Sequence, residues 1–116
     1  MPFTKEKTEE ILKGLKDTFI GLHSGEPNEL NEVKKQGYLR KKGNLENIVY
    51  NQLINTTDIV FDVAQFDYGV ITHIGIYNAE IEGKLLYWIK ADNSREVRVS
   101  EDYRISKDNL MIEIVV

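Results

Sequence analysis

Residues 70–88, VITHIGIYNAEIEGKLLYW, constrain the fold of this chain more than any other stretch. Two apolar runs rich in Ile, Tyr and Leu flank a polar turn ending in Gly83, the pattern of a β-hairpin. In the first arm Val70, Thr72, Ile74 and Ile76 share one face, and Ile71, His73, Gly75 and Tyr77 share the other. In the second arm Leu85, Tyr87 and Ile89 alternate with Leu86 and Trp88. Both faces of both arms carry apolar residues, so the hairpin is expected to lie centrally. Gly75, inside a strand, predicts a close approach by another backbone or a large ring covering the position.

The rest of the chain is placed around this pair. Residues 4–17 read as the one helix. Thr4 is the expected N-cap, Glu6, Glu9 and Glu10 suit the positive end of the dipole, and Lys13 and Lys16 suit the other. Thr8, Ile11, Leu12, Leu15 and then Phe19 form a narrow apolar stripe, which must pack on the chain's own sheet or on a neighbouring subunit. Strands are expected over residues 19–23, 37–42, 46–53, 56–64, 96–100, 102–105 and 110–116, besides the two hairpin arms. Residues 24–28 read as a loop, 29–35 as polar chain with room for one helical turn, and 91–94 and 106–109 as turns rich in Asp, Asn and Ser. Strands at roughly 8–12-residue spacing with one helix imply a mainly β fold. The expected architecture is a two-sheet antiparallel sandwich, jelly-roll-like, with about eight strands and one N-terminal amphipathic helix. The whole chain of 116 residues fits one such domain.

Charge and composition narrow the function. Fifteen basic against nineteen acidic residues give a net charge of −4, a poor footprint for a nucleic-acid binder. Residues 1–42 hold nine basic and seven acidic residues, a net +2, whereas residues 43–116 hold six and twelve, a net −6. The basic excess is local: Lys34, Lys35, Arg40, Lys41 and Lys42. Such residues defend a strand edge or meet an acidic partner. With no cysteine there are no disulfides, thiolate chemistry or Cys-ligated zinc. No apolar run approaches the roughly 20 residues needed to span a bilayer, and the charged N-terminus does not resemble a signal peptide.

No catalytic motif emerges. His23 and His73 lie fifty positions apart without a ligand spacing, and read as hydrogen-bonded strand residues. Ser24 beside His23 lacks a nucleophile elbow. Asp58 and Asp62 would sit on one strand face with α-carbons about 13 Å apart, too wide for a retaining glycosidase pair. No phosphate-binding glycine motif is present. Tyr38, Tyr50, Tyr68, Tyr77, Tyr87 and Trp88 read mainly as core. An exposed pair such as Tyr68 and Trp88 would instead suggest a carbohydrate-binding module that contacts a host surface glycan.

Several segments, taken in order, resemble a family of small virion proteins of tailed bacteriophages, commonly described as tail fibre or minor tail proteins. Leu22, His23, Ser24, Pro27, Asn31, Glu32 and Val33 fit its opening strand and loop, and Tyr38 and Arg40 fit a Tyr-x-Arg strand. Residues 55–64, NTTDIVFDVA, resemble an Asn-x-x-x-(Ile/Val)-x-Phe strand. Residues 70–88 resemble a hairpin of the form Val-Thr-His-x-Gly-(Ile/Leu)-(Tyr/Phe)-(Asp/Asn)-Ala, followed by a Gly-containing turn and Leu-Leu-aromatic. The chain departs from the family in its single turn glycine, Gly83, and in the lysines after Val33. The resemblance implies a non-enzymatic structural subunit of a virion assembled in the bacterial cytoplasm, a small tail, collar or fibre-adaptor protein or a decoration of the head. It would need no cofactor or metal, self-associate as a homo-oligomer and dock to other virion proteins, with neither nucleic acid nor membrane as partner. The residues expected at such an interface are Ile11, Leu12 and Leu15 of the helical stripe, and Lys34, Lys35, Arg40, Lys41 and Lys42 of the basic cluster.

Overall fold

The computed structural model describes residues 3–28 and 31–114. The chain is mainly β, with several antiparallel sheets and one short helix near the N-terminus. Helix α1, Lys5–Lys13, starts where the sequence predicts: the Thr4 side chain accepts from the Lys7 backbone N–H at 3.1 Å. It ends earlier than residue 17, because Gly14 caps it and Thr18 Oγ1 donates to Leu15 O at 2.7 Å as the chain turns away. Thr8, Leu12 and Leu15 are buried. Among the described residues no helix is long and apolar enough to cross a membrane.

Nine strands follow among the described residues: β1 Phe19–His23, β2 Lys41–Lys42, β3 Leu45–Val49, β4 Gln52–Asn55, β5 Ile59–Val60, β6 Gly69–Tyr77, β7 Leu85–Val97, β8 Arg104–Ile105 and β9 Met111–Glu113. They form three hydrogen-bonded sheets among the described residues, ordered β2-β1-β6-β7, β3-β4-β9 and β5-β8, rather than two. Apolar residues of all three sheets join with Leu12 and Leu15 of the N-terminal segment in one buried cluster. In the four-stranded sheet its inner face comes from the cross-strand rows Ile20, Ile76, Tyr87 and Leu22, Ile74, Ile89.

The structure alters several sequence boundaries. The opening hairpin is β6 and β7, with β6 interior and β7 at the sheet edge; Tyr87 and Ile89 pack on the core, while Leu86 and Trp88 alternate with them onto the other face and are exposed. Residues 91–94 are no turn. Between the pairs Ile71–Arg95 and His73–Lys90, one residue intervenes on β6 and four on β7, so the Asp-Asn-Ser run is a bulge in a continuing strand. Residues 46–53 are two strands that reverse at Tyr50 and Asn51. Only Ile59–Val60 of residues 56–64 pairs as a strand. Phe61 N donates to Tyr103 O and Ala64 N to Glu101 O, an irregular pairing that buries Ile59, Phe61 and Ala64 but leaves Val63 58% exposed. Val99 is likewise out, while Val97, Tyr103 and Ile105 are in. Of residues 29–35, Glu29 and Leu30 lie outside the described residues; the remainder is not helical, with Asn31 in a turn, Glu32 bridged to His23 and Val33 N bonded to Leu22 O at 3.0 Å. Residues 37–42 pair only at Lys41 and Lys42, on the sheet edge. Of the expected strand 110–116, Met111–Glu113 pairs, and Val115 and Val116 lie outside the described residues.

Buried Asn55 joins the end of β4 to the chain before β9. Its Nδ2 donates to Thr57 O and Ser106 O, both at 2.9 Å, and its Oδ1 accepts from Leu110 N at 2.8 Å. This is the first residue of the Asn-x-x-x-Ile-x-Phe segment. Ile59 and Phe61, the other two marked positions, are core.

Candidate functional site: a polar clamp over the hairpin

The register of β1 on β6 sets Gly21 opposite Gly75 and His23 opposite His73 on the outer face of the sheet. Two facing glycines leave a gap in that face, and neighbouring rings fill it. The His23 and Tyr77 rings lie nearly parallel, with centroids 5.8 Å apart and planes at 4°. A Cβ on Gly75 would stand 2.6 Å from His23 Nε2, so the ring expected over Gly75 is the His23 imidazole.

Hydrogen bonds define the state of that imidazole. Asn31 Nδ2 donates to Glu26 O at 2.7 Å, and its Oδ1 accepts from Asn28 N at 3.1 Å, which orients the amide. Asn31 Oδ1 therefore faces His23 Nδ1, 2.8 Å away, as an acceptor, and Nδ1 carries the proton. Nε2 is left with a lone pair, which accepts from the Tyr77 hydroxyl at 2.6 Å. Burial lowers the His23 pKa, against the opposing effects of the Asn31 bond and the Glu32 charge. The histidine is a neutral connector with both nitrogens engaged.

A second group lies beside it. Glu32 accepts from Arg40 Nε at 2.8 Å and Nη2 at 2.7 Å, a bidentate pair, and from the Tyr38 hydroxyl at 2.7 Å. Tyr38 Oη in turn accepts from Leu22 N at 2.9 Å. The Arg40 guanidinium lies 3.5 Å over the Tyr77 ring, and Nη1 donates to Ala79 O at 3.0 Å and Glu82 O at 2.5 Å in the hairpin turn. Burial pushes the Glu32 carboxyl up, but the bonds from Arg40 and Tyr38 outweigh it and hold the pKa below its ordinary value. Burial and the Glu32 charge push Tyr77 to about 12. Ser24 Oγ donates to Val70 O, and Gly25 N to Thr72 Oγ1 at 2.8 Å, fastening the loop to the start of the hairpin. The polar residues that carry the resemblance in three separate segments, His23, Asn31, Glu32, Tyr38 and Arg40 with Tyr77, thus converge on one cluster. Their order in the sequence marks them individually; their convergence comes from the β1–β6 register, which no local pattern announces.

The remaining candidates fall elsewhere. His73 Nδ1 lies 2.8 Å from Thr72 Oγ1, and its ring meets Trp88 edge-on at 5.4 Å. Asp62 pairs with Lys41 at 2.8 Å, and Asp58 accepts from Lys107 N at 2.8 Å. Among the described residues no three His, Cys, Asp or Glu side chains are placed to hold a metal ion. Tyr68 is core at 6% exposure while Trp88 is 39% exposed, so the two do not form an exposed aromatic pair. Of the expected interface residues, Leu12 and Leu15 are buried in the chain's own core and Ile11 packs against it. Arg40 is enclosed in the clamp, Lys41 pairs with Asp62, and Lys34, Lys35 and Lys42 are exposed.

No curated protein matches the chain. Residues 13–113, a span that includes every member of the clamp, match the family model described as podophage GP4 fiber I protein gp80. The chain therefore belongs to this podophage fibre protein family.

Proposed function

We propose that the protein is a non-enzymatic tail, collar or fibre-adaptor subunit of a podophage virion, acting by self-association and by docking to other virion proteins. The observation that carries this reading is the family match over residues 13–113. The engagement of both His23 nitrogens agrees with it, because a general base needs a free lone pair aimed at substrate. The docking surface we infer uses the exposed Lys34, Lys35 and Lys42, facing an acidic partner. Arg40 serves it by holding the segment in place. Val63, Phe66 and Val99, each more than half exposed, supply apolar anchors for self-association. Leu12 and Leu15 take no part, being occupied by the core.

The test is analytical ultracentrifugation of the isolated chain, together with immunogold labelling of purified virions. An oligomer that Phe66→Ser dissociates, with gold at the tail, is the expected result. A strict monomer together with unlabelled virions overturns the reading.

A further inference from the structure

The turn between β6 and β7 presents a knob. Arg40 Nη1 donates to Ala79 O and Glu82 O, and the Asn78 side chain accepts from Lys84 N at 2.8 Å, so the turn is braced on both sides of Ile81. Ile81 itself is 72% exposed, more than any other large hydrophobic residue among the described ones. A lone exposed apolar side chain needs no explanation. This one stands between two exposed carboxylates, Glu80 and Glu82, with exposed Lys84 close behind. Neither carboxylate forms an ion pair among the described residues.

A matching recess lies elsewhere on the chain. β7 and β8 border a cleft of about 260 Å³. No backbone hydrogen bond joins the two strands among the described residues. Side chains span the gap instead: the Tyr103 hydroxyl donates to Asn93 O at 2.9 Å, and Arg95 Nη2 donates to Asp102 O. Ile74, Ile89, Ile105 and Leu110 line the apolar interior. Three exposed charges stand around it: Lys90, Asp92 and Arg104, the last 3.6 Å from Asp58. The cleft is smaller than the roughly 300–1,000 Å³ of a small-molecule site, and suits one inserted side chain. The chain's own tip cannot fill it. The extended run from Leu85 to Ile89 sets the tip about 13 Å away, and Arg40 ties the turn toward β1, on the side of β6 opposite to β7.

We propose that the cleft between β7 and β8 receives the hairpin tip of a second copy, with Ile81 seated inside, Glu80 and Glu82 facing Lys90 and Arg104, and Lys84 beside Asp92. The tip carries two negative charges and one positive, and the cleft carries two positive and one negative, so the surfaces complement each other in sign as well as in polarity. Because the tip is already braced in its own chain, little further ordering is needed on docking. The contact rests on the self-association read above and names one pair of surfaces that carries it. It adds to the contacts of Val63, Phe66 and Val99, so that loss of either set dissociates the assembly.

Sedimentation velocity of the full chain over a concentration series tests this. Ile81→Ser should raise the concentration for half-association about tenfold or more, with the far-UV circular dichroism unchanged because the residue is exposed. Glu80→Lys with Glu82→Lys should weaken association, and so should Lys90→Glu with Arg104→Glu. A chain carrying all four substitutions should recover it, since both signs are then reversed. An oligomer that Ile81→Ser leaves intact, or a fourfold variant that associates no better than either pair, overturns the tip contact and leaves self-association through Phe66 standing. A native chain that is monomeric at every concentration also overturns it, and the functional reading then turns on the labelling of virions.

Discussion

Gly21 and Gly75 face each other across β1 and β6, and the space left by their missing side chains is where the clamp sits. A Cβ on Gly75 would meet the His23 ring at 2.6 Å and Leu85 at 3.0 Å; one on Gly21 would meet Glu32 Oε2 at 2.6 Å. The glycine pair and the polar cluster are two halves of one packing solution.

Gly75→Val should therefore disrupt folding more than any single deletion in the clamp. The branched side chain displaces His23 and breaks its bonds to Asn31 and Tyr77, so overpacking adds to lost hydrogen bonds. A loss of about 3 kcal/mol or more is expected, read from urea melts. Gly75→Ala should lose about 1–3 kcal/mol. A variant as stable as the parent would show that the gap is not filled as described.

Arg40→Ala should destabilise the protein by about 3–5 kcal/mol, because it strands the Glu32 carboxylate in a largely buried position. Arg40 and Glu32 side chains are only 11% and 13% exposed. Arg40→Lys should recover little of this, since an ammonium cannot make the fork to Glu32 and reach Ala79 and Glu82 as well. Thermal unfolding of the three proteins at one pH checks the order.

Glu32 makes stability depend on acidity in a fixed direction. Its folded pKa lies below the ordinary value of 4.5, so its contribution is complete above that value and is lost as the pH falls through the folded one. Glu32→Gln should be less stable at neutral pH and should flatten the acid limb of the stability curve. Urea midpoints measured from pH 7 down to pH 3 test both effects.

Thr8→Val should stabilise the chain. Thr8 is fully buried on α1, and its Oγ1 is without a hydrogen-bond partner among the described residues. Replacing the hydroxyl with a methyl of similar shape removes a desolvation penalty of about 1 kcal/mol. An unchanged or lower melting temperature would point to a partner for that oxygen in solution.

Asn55→Ala should cost about 2–4 kcal/mol, because it leaves Leu110 N, Thr57 O and Ser106 O without their shared partner. Loosening should be greatest over residues 106–110, and hydrogen exchange there checks the locality of the effect.

Features written into local sequence were legible and those set by distant pairing were not. The Thr4 cap and the alternation of β1 and β6 follow from neighbouring residues, so their starts and faces can be read directly. Tyr50 and Asn51 contain no glycine, so the reversal between β3 and β4 is hidden inside an apparently continuous strand. The run Asp92, Asn93, Ser94 does signal irregular backbone, but a bulge and a turn draw on the same residues. Only pairing with β6 distinguishes them. Val63 and Val99 alternate as buried residues should, yet point outward because their segments pair with each other irregularly. The clamp residues were marked by the family pattern one by one. What the pattern could not express is that His23 and Tyr77, 54 positions apart, are joined by a hydrogen bond.

The bonds from Arg40 to Ala79 and Glu82 have a mechanical consequence. A tension applied to the hairpin tip does not fall on β6 and β7 alone. It passes through the guanidinium into Glu32, and from there through the Glu32–His23 bridge to β1 and through Tyr38 to the Leu22 amide. Peeling the tip strand by strand is thereby replaced by loading several bonds in parallel, so the turn yields only when they give way together.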